Sequence, residues 1–326
     1  MFFKLLHSSY ALKILVIKPS SLGDVVHSLR VTYQIHCYFP FAIINWVIKE
    51  ELSEILLVCG FINKIYRYKR GGGLLSYIKL ANQVRETEYD YVVDMQGLSR
   101  SGCLTFLAKG KSKLGVADGR EFSTFFYKCV GEKSRKKEIH AIDKLTPFLP
   151  HLGIDKFDPS LPLNFKNSVL NRHNSALIPC KPFLLLFPES RRPEKMWPYF
   201  EELFRELKKH CDYEIVIAGN KMGDDFKGSI DVRGKLSLSE LPCLVSKAKV
   251  VLTNDSAPLH IATALNVATV ALFGPTSQFK YGPYPKSSGN FKVIKGEGNK
   301  MNTISTEEVL NEIKNFLING RGENYL

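Results

Sequence analysis

The segment Val250 to Thr276, VVLTNDSAPLHIATALNVATVALFGPT, brings together residue types that could hold a negatively charged group. A short apolar run, Val250 to Leu252, leads into Thr253-Asn254-Asp255-Ser256, which is turn and helix-cap chemistry, and Pro258 falls where a first helical turn tolerates a missing N–H. Ala257 and His260 stand at the start of that helix, and Leu259, Ile261, Ala262 and Leu265 supply its inward face. A strand that feeds a helix through a polar turn leaves backbone N–H groups and the positive end of the helix dipole aimed at one spot. That spot suits a phosphate. The plainer reading is that Asp255 and Ser256 cap a helix and His260 is a satisfied structural histidine; the stretch alone does not choose between them.

Three further stretches carry chemistry. In KPSSLGDVVHSL (Lys18 to Leu29), Ser20, Ser21 and Gly23 form a small-residue turn and Asp24 opens a helix, where a carboxylate serves either as a general base or as an ordinary cap. Neither GxGxxG nor GxxxxGK[ST] occurs there, which demotes nicotinamide-dependent and kinase chemistry. In FPESRRPEKMWPYF (Phe187 to Phe200), Arg191, Arg192 and Lys195 cluster between a strand and a helix, as cations balancing a diphosphate would, or as a solvated basic loop would. No two aspartates are spaced i, i+2, so the metal-holding DxD arrangement is missing and no metal site is expected. The basic and aromatic run Lys64 to Arg70, with Arg67, Lys69 and Arg70 before three glycines, joins Arg100, Arg120 and His140 as a candidate surface for a second anionic partner. Nucleic acid ranks lower, since no RNP1, zinc-finger or GxxG motif stands in a suitable context. The run at Lys133 to Lys137 reads as a solvated loop.

These residues need a scaffold, and the apolar runs supply it. KILVIK (13–18), AIINWVI (42–48), INKIY (62–66) and YDYVVDM (89–95) predict strands separated by amphipathic helices, and FLLLF (183–187), EIVIAG (214–219), VVLTND (250–255) and ATVALFG (268–274) repeat the pattern. A helix after Trp197-Pro198 carries Phe200, Leu203, Phe204 and Leu207 on one stripe, and Ser239 is the preferred cap of a helix reaching Lys247. Prolines 150, 159, 162, 179 and 182 interrupt the alternation. The chain therefore divides into two βαβ domains, 1–165 and 166–326, facing across a cleft lined by the carboxyl ends of both sheets. The formal charge of +13 favours an anionic partner. No apolar run is long enough to cross a bilayer, residues 1–12 read as a short extension rather than a signal peptide, and seven scattered cysteines without a CxxC pair indicate a reduced, cytoplasmic chain without zinc.

At these residues the sequence resembles the ADP-heptose:lipopolysaccharide heptosyltransferases of glycosyltransferase family 9. SSLGDVVHSL, YDYVVDMQGLSRSG, GREFSTFFY, HAIDK, the R-x-x-x-K-x-W-P pattern at Arg191 to Pro198, and NDSAPLHIATAL with FGPT carry the resemblance from about Lys13 to the C-terminus, in forms most similar to heptosyltransferase I. The resemblance implies an α/β fold of GT-B type with two Rossmann-like domains, the first receiving the acceptor and the second a nucleotide sugar. It implies transfer of heptose from ADP-heptose to the Kdo-lipid A inner core of lipopolysaccharide, with inversion and no obligatory metal or cofactor, by an enzyme peripheral on the inner membrane's cytoplasmic face. Asp24 then matches a general base, Lys195 a lysine near the donor phosphates, Arg191, Asp255, Ser256, Ala257 and His260 the donor loops, and Leu236 a position near adenine. Ser21, Gly23, Arg67, Lys69, Arg70, Gln96, Arg120 and His140 are the acceptor-side candidates. Two departures stand out, since many members have Gly at Ala257 and Gly-Ala at Glu189-Ser190. A family 9 transferase with another donor sugar or heptose position, an oxidoreductase, and a catalytically silent nucleotide- or lipid-binding protein are the other readings.

Overall fold

The computed structural model describes residues 11–133, 138–165, 177–220 and 226–319. The first ten residues of the N-terminal extension, the 134–137 part of the basic run and the 166–176 side of the expected domain boundary lie outside them. The chain forms two compact units, Met1–Lys137 with Ile142–Asp158, and Glu138–Ala141 with Pro159–Leu326.

The first unit is built on a six-stranded parallel sheet: β1 (Lys13–Ile17), β2 (Ile43–Lys49), β3 (Lys64–Tyr68), β4 (Glu88–Asp94), β5 (Lys109–Val116) and β6 (Lys128–Val130), in the order β3-β2-β1-β4-β5-β6. Helices α1 (Leu22–Tyr38), α2 (Gly73–Arg85) and α3 (Ser99–Leu107) make crossovers. The second sheet contains β7 (Phe183–Phe187), β8 (Glu214–Ile217), β9 (Ile230–Asp231), β10 (Val250–Asn254), β11 (Thr269–Phe273) and β12 (Phe291–Lys295), in the order β12-β11-β10-β7-β8-β9. Counted within each unit, both sheets read 3-2-1-4-5-6, the doubly wound order in which the chain starts at the centre, runs to one edge, and returns to build the other.

Burial follows the apolar runs. Ile14 to Ile17 and all of Phe183 to Phe187 are buried, as central strands covered on both faces must be. Helix α4 (Phe200–His210) turns Phe200, Leu203, Phe204 and Leu207 into the core, with Glu201 and Glu202 at its N-terminus and Lys208, Lys209 and His210 at its C-terminus, each sign complementing the helix dipole. Helices α5 (Leu241–Lys247), α6 (Ala257–Ala264) and α7 (Thr306–Asn319) complete the second unit.

Several elements differ from expectation. Strand β3 lies two residues later than the apolar run indicates, so Arg67 and Tyr68 are strand residues and only Lys69 and Arg70 enter the following turn. Helix α5 is capped by Glu240 rather than Ser239; the Glu240 carboxylate turns back to accept the Ser237 N–H and Oγ–H, each at 2.8 Å. Strands β5, β6, β9 and β12 were not expected.

Candidate active-site residues

In a doubly wound sheet the loops leaving the two central strands diverge to opposite faces, and the crevice between them is where such folds take ligands. In the first unit those strands are β1 and β4. The loop after β1 carries Lys18 to Ser21 and leads into the α1 turn that holds Asp24, and the one after β4 carries Met95 to Leu98. The structure joins them: the Ser20 N–H reaches Gln96 Oε1 at 3.3 Å, and Lys18 Nζ donates to the Met95 carbonyl at 3.0 Å. Asp24 is half-buried in the first turn of α1, where its Oδ2 accepts the Ser21 N–H at 3.1 Å and the Ser21 hydroxyl at 2.8 Å. That is capping-box geometry, with Ser21 as the N-cap and Asp24 at N3. Gly23 lies within the same turn. The Arg120 backbone is tied to Gly97 by a 2.8 Å hydrogen bond, which brings a further expected residue to this crevice.

Beneath Asp24 sit two charges that the sequence reading passed over. Lys18 and Asp94 end the apolar strand runs and are buried, at 8% and 0% exposure. Burial lowers the Lys18 ammonium below its ordinary value, while Asp24 and then Asp94 act in the opposite sense. Burial pushes the Asp94 carboxyl up to about 6, although the Gly97 and Gln96 N–H groups and Lys18 favour its anion. An acid whose folded pKa exceeds its unfolded value binds more protons in the native state between the two. Its contribution to stability is therefore present at low pH and is lost as pH rises from about 4 to about 6. The stability advantage of wild type over Asp94→Asn should accordingly shrink by up to about 3 kcal/mol across that window, as read from denaturant melts of both proteins. A difference that stays constant with pH would remove Asp94 from this role.

The remaining expected residues of the first unit are less closely gathered. Arg67 Nε donates to Ser53 Oγ at 3.2 Å, and Lys69 and Arg70 are exposed at the same sheet edge. His140 packs with the second unit rather than with the residues grouped with it from the sequence. It is buried, its Nε2 is 3.0 Å from the Gly282 carbonyl oxygen, and its ring lies against Tyr284.

In the second unit the central pair is β7 and β10. Lys195, on the single 3-10 turn Pro193–Lys195 after β7, reaches the loop after β10 and pairs with Asp255: Nζ to Oδ2 is 2.6 Å, with the side chains only 15% and 5% exposed. The same Oδ2 accepts Thr276 Oγ1 at 2.6 Å. Asn254 locks the two loops together by accepting the Trp197 N–H at 3.1 Å and donating to the Pro188 carbonyl at 2.9 Å. Lys295, at the end of β12, donates to the carbonyls of Gly274 and Thr276. Ser256 is the N-cap of α6, Ala257 its first residue, and Pro258 lies within its first turn. Thr253 Oγ1 and Ser256 Oγ lie 3.4 Å apart, and His260 is buried on α6. Arg191 is exposed, Arg192 is taken by Glu194, and Leu236 is half-buried after β9. Asn254, Thr276 and Lys295 were missed as site residues; Thr276 was legible, since it ends the polar turn after a strand that parallels β10.

Glu189 is held facing a buried guanidinium. Its carboxylate accepts the Asn220 N–H at 2.7 Å and faces Arg233, which is itself buried and bonded to Asp231 at 2.7 Å. One positive charge is thus shared by two carboxylates, and Asp231 holds the shorter contact. Among the described residues no group of three His, Cys, Asp or Glu side chains is placed to hold a metal ion.

Comparison with known proteins bears on the fold and the family. The chain is 25% identical to lipopolysaccharide heptosyltransferase 1 of Escherichia coli O18:K1:H7, covering 94% of this chain and 97% of that one. It is 24% identical to lipopolysaccharide heptosyltransferase 2 of Escherichia coli K12, covering 94% and 99%. Among solved structures, E. coli heptosyltransferase WaaC with ADP-2-deoxy-2-fluoro heptose superposes with a TM-score of 0.77 at 21% identity over 93% of this chain and 99% of that one, which shows a shared fold of GT-B type. The family model of glycosyltransferase family 9 (heptosyltransferase) matches residues 77–310, from α2 to the start of α7. With that match spanning more than half of its length and two doubly wound units presenting a carboxylate at one central crevice and a lysine at the other, the chain belongs to glycosyltransferase family 9, the heptosyltransferases.

Proposed function

We propose that this glycosyltransferase moves heptose from ADP-heptose to the Kdo-lipid A inner core of lipopolysaccharide, adding the first heptose with inversion at the anomeric carbon, at the cytoplasmic surface of the inner membrane. The observation that carries the donor half is the Lys195–Asp255–Thr276 cluster beside the N-terminus of α6. A diphosphate there would meet N–H groups, a helix dipole and an ammonium held in place by a carboxylate, and these would take up the charge that grows on departing ADP. The acceptor half is assigned to the first unit, where Asp24 would take the proton of the attacking hydroxyl. Ser21 fixes the orientation of that carboxylate. Gln96 and Arg120 border it, while Arg67, Lys69 and Arg70 offer positive charge to acceptor phosphates or carboxylates. His140 is not retained as an acceptor contact, because its ring nitrogen is already engaged by the Gly282 carbonyl within the second unit.

The first-heptose assignment rests on the form of the SSLGDVVH, QGL, GRE and HAI segments. Its rival is addition of the second heptose, supported by the near-equal similarity to the relative named heptosyltransferase 2. One experiment addresses both: the purified protein is incubated with ADP-heptose and either Kdo-lipid A or the same core already carrying one heptose, and products are read by mass spectrometry. A gain of one heptose on the first acceptor alone, with ADP released in step, is the expected result. Gain on the second acceptor alone transfers the assignment to the rival, and no gain on either would overturn the proposed donor and acceptor.

A further inference from the structure

Helix α2 has two apolar faces, and only one is covered. At 100° per residue Tyr77, Leu80, Ala81 and Val84 form a stripe against the sheet, with the last three buried. Leu74, Leu75 and Ile78 form a second stripe about a third of a turn away, and they are 72%, 82% and 45% exposed. A solvated helix face would carry polar residues there.

The surroundings of this stripe are cationic. From Tyr66 to Arg85 the sequence has five Lys or Arg residues (67, 69, 70, 79 and 85) and no Asp or Glu. Even the first turn of α2, where a carboxylate would be stabilising, has none. Lys69 and Arg70 lie just before the two glycines that lead into the helix, and exposed Lys79 follows Ile78.

A second pair of exposed rings belongs to the same end of the first unit. Phe122 and Phe125 are 79% and 82% exposed and stack on each other at 6.2 Å. Phe122 holds its ring outward from a left-handed backbone, φ +62°, a conformation that bulky side chains rarely adopt. Hydrogen bonds connect the two groups: the Arg100 carbonyl accepts Tyr77 Oη at 2.7 Å, Arg100 donates to Tyr68 at 2.8 Å, and neighbouring Ser99 donates to Glu121 at 3.0 Å. Glu121 is one carboxylate of this region, with Arg120 beside it, and Glu50, Glu51 and Glu54 are exposed around Ser53, which accepts Arg67.

We infer that this end of the first unit is a docking surface for an anionic lipid bilayer, with Leu74, Leu75, Ile78, Phe122 and Phe125 entering the headgroup layer and Lys69, Arg70 and Lys79 facing lipid phosphates. Apolar side chains that insert, framed by cations, give the two signals that reversible bilayer attachment needs. A second protein surface would match the apolar stripe equally well. The positive charge of the segment that carries it, Tyr66 to Arg85, favours the bilayer. The inference names the surface for the membrane location in the proposed function and rests on that reading for its biological setting, but binding is measured without donor or acceptor, so either can fail alone.

The test is co-sedimentation with vesicles of phosphatidylethanolamine and phosphatidylglycerol, against vesicles of phosphatidylcholine alone. Wild type should bind the anionic vesicles, and salt should weaken that binding. The Leu74→Gln/Leu75→Gln/Ile78→Gln variant, which keeps helix-forming residues, and the separate Phe122→Asn/Phe125→Gln variant, in which Asn accepts positive φ, should each bind at least about tenfold more weakly. Both should retain the circular dichroism of wild type and its rate on a delipidated, water-soluble acceptor. Absence of wild-type binding to anionic vesicles, equal binding to both vesicle types, or binding unchanged in both variants overturns the inference. So does a wild-type dimer that either variant converts to monomer, which would make the surface a contact between copies.

Discussion

Replacing Asp24 with Asn is expected to lower kcat by roughly 10²–10⁴-fold while leaving the melting temperature close to that of wild type. Asp24 is both a cap and the proposed base, and the substitution separates the two. As a cap it receives two bonds at Oδ2, from the Ser21 N–H and hydroxyl. An Asn carbonyl oxygen at N3 can receive the same two bonds, so the loss is confined to a negative charge beside the helix N-terminus and Lys18, about 1 kcal/mol. As a base it must take a proton, which an amide does not do near neutral pH. ADP binding, measured by calorimetry, should be retained because the donor cluster belongs to the second unit. A folded Asp24→Asn protein that transfers heptose at close to the wild-type rate would leave Asp24 as a cap and require another base.

Loss of Lys195 should be comparably severe. Lys195→Ala is expected to reduce kcat/KM by about 2–4 kcal/mol in transition-state terms, the scale for losing one preorganised charge stabiliser. The geometry adds a complication: Asp255 is 5% exposed, and without its lysine it becomes an uncompensated buried charge that destabilises the fold. The double variant Lys195→Ala/Asp255→Asn removes that confusion. It should recover much of the melting temperature lost in the single variant and none of the activity. Recovery of activity along with stability would mean that Lys195 serves only to neutralise Asp255. In parallel, EDTA should leave wild-type activity largely intact; complete, magnesium-reversible loss would show that a metal, not Lys195, carries the diphosphate charge.

The elements that sequence made legible are those buried on both sides. FLLLF and KILVIK can be little else but central parallel strands, because an unbroken apolar run of that length has no solvent face. Strand β5, KGKSKLGV, was illegible for the opposite reason. Its lysines alternate with small residues, so the apolar signal that marks a strand is absent until Leu114, and Gly115 is needed where the Tyr127 ring lies within 2.5 Å of any added Cβ. Strands β9, of two residues, and β6, of three, are too short to carry a period. Strand β12, FKVIK, keeps only Ile294 buried at its sheet edge. In the candidate site, Asp24, Lys195 and Asp255 were visible as polar residues following strands. Lys18 and Asp94 were not singled out, although each is a charge at the end of an apolar run, because a terminal charge is normally solvated. Here both are enclosed by the neighbouring loops. The Glu189–Arg233 pairing was out of reach, since nothing local tells a carboxylate which distant guanidinium it will meet.

The strand order shared by the two sheets also dictates when each crevice can come into being as the chain is made. The pair that frames the first crevice, β1 and β4, joins Ile14 to Tyr91, and the pair that frames the second, β7 and β10, joins Leu184 to Val250. In both cases the first strand must wait, beside β2 or β8, for a partner made after the whole of one flank. Such distant parallel pairings are the slow part of folding, because loop closure is costly before any contact rewards it. The edges of each sheet can thus form from near neighbours while its centre is still open. A nascent chain halted before β10 emerges would contain Lys195 but neither Asp255 nor the strand that presents it. The cluster that would hold a diphosphate is therefore among the last parts of the second unit to exist, and a polypeptide truncated there gains no partial version of it.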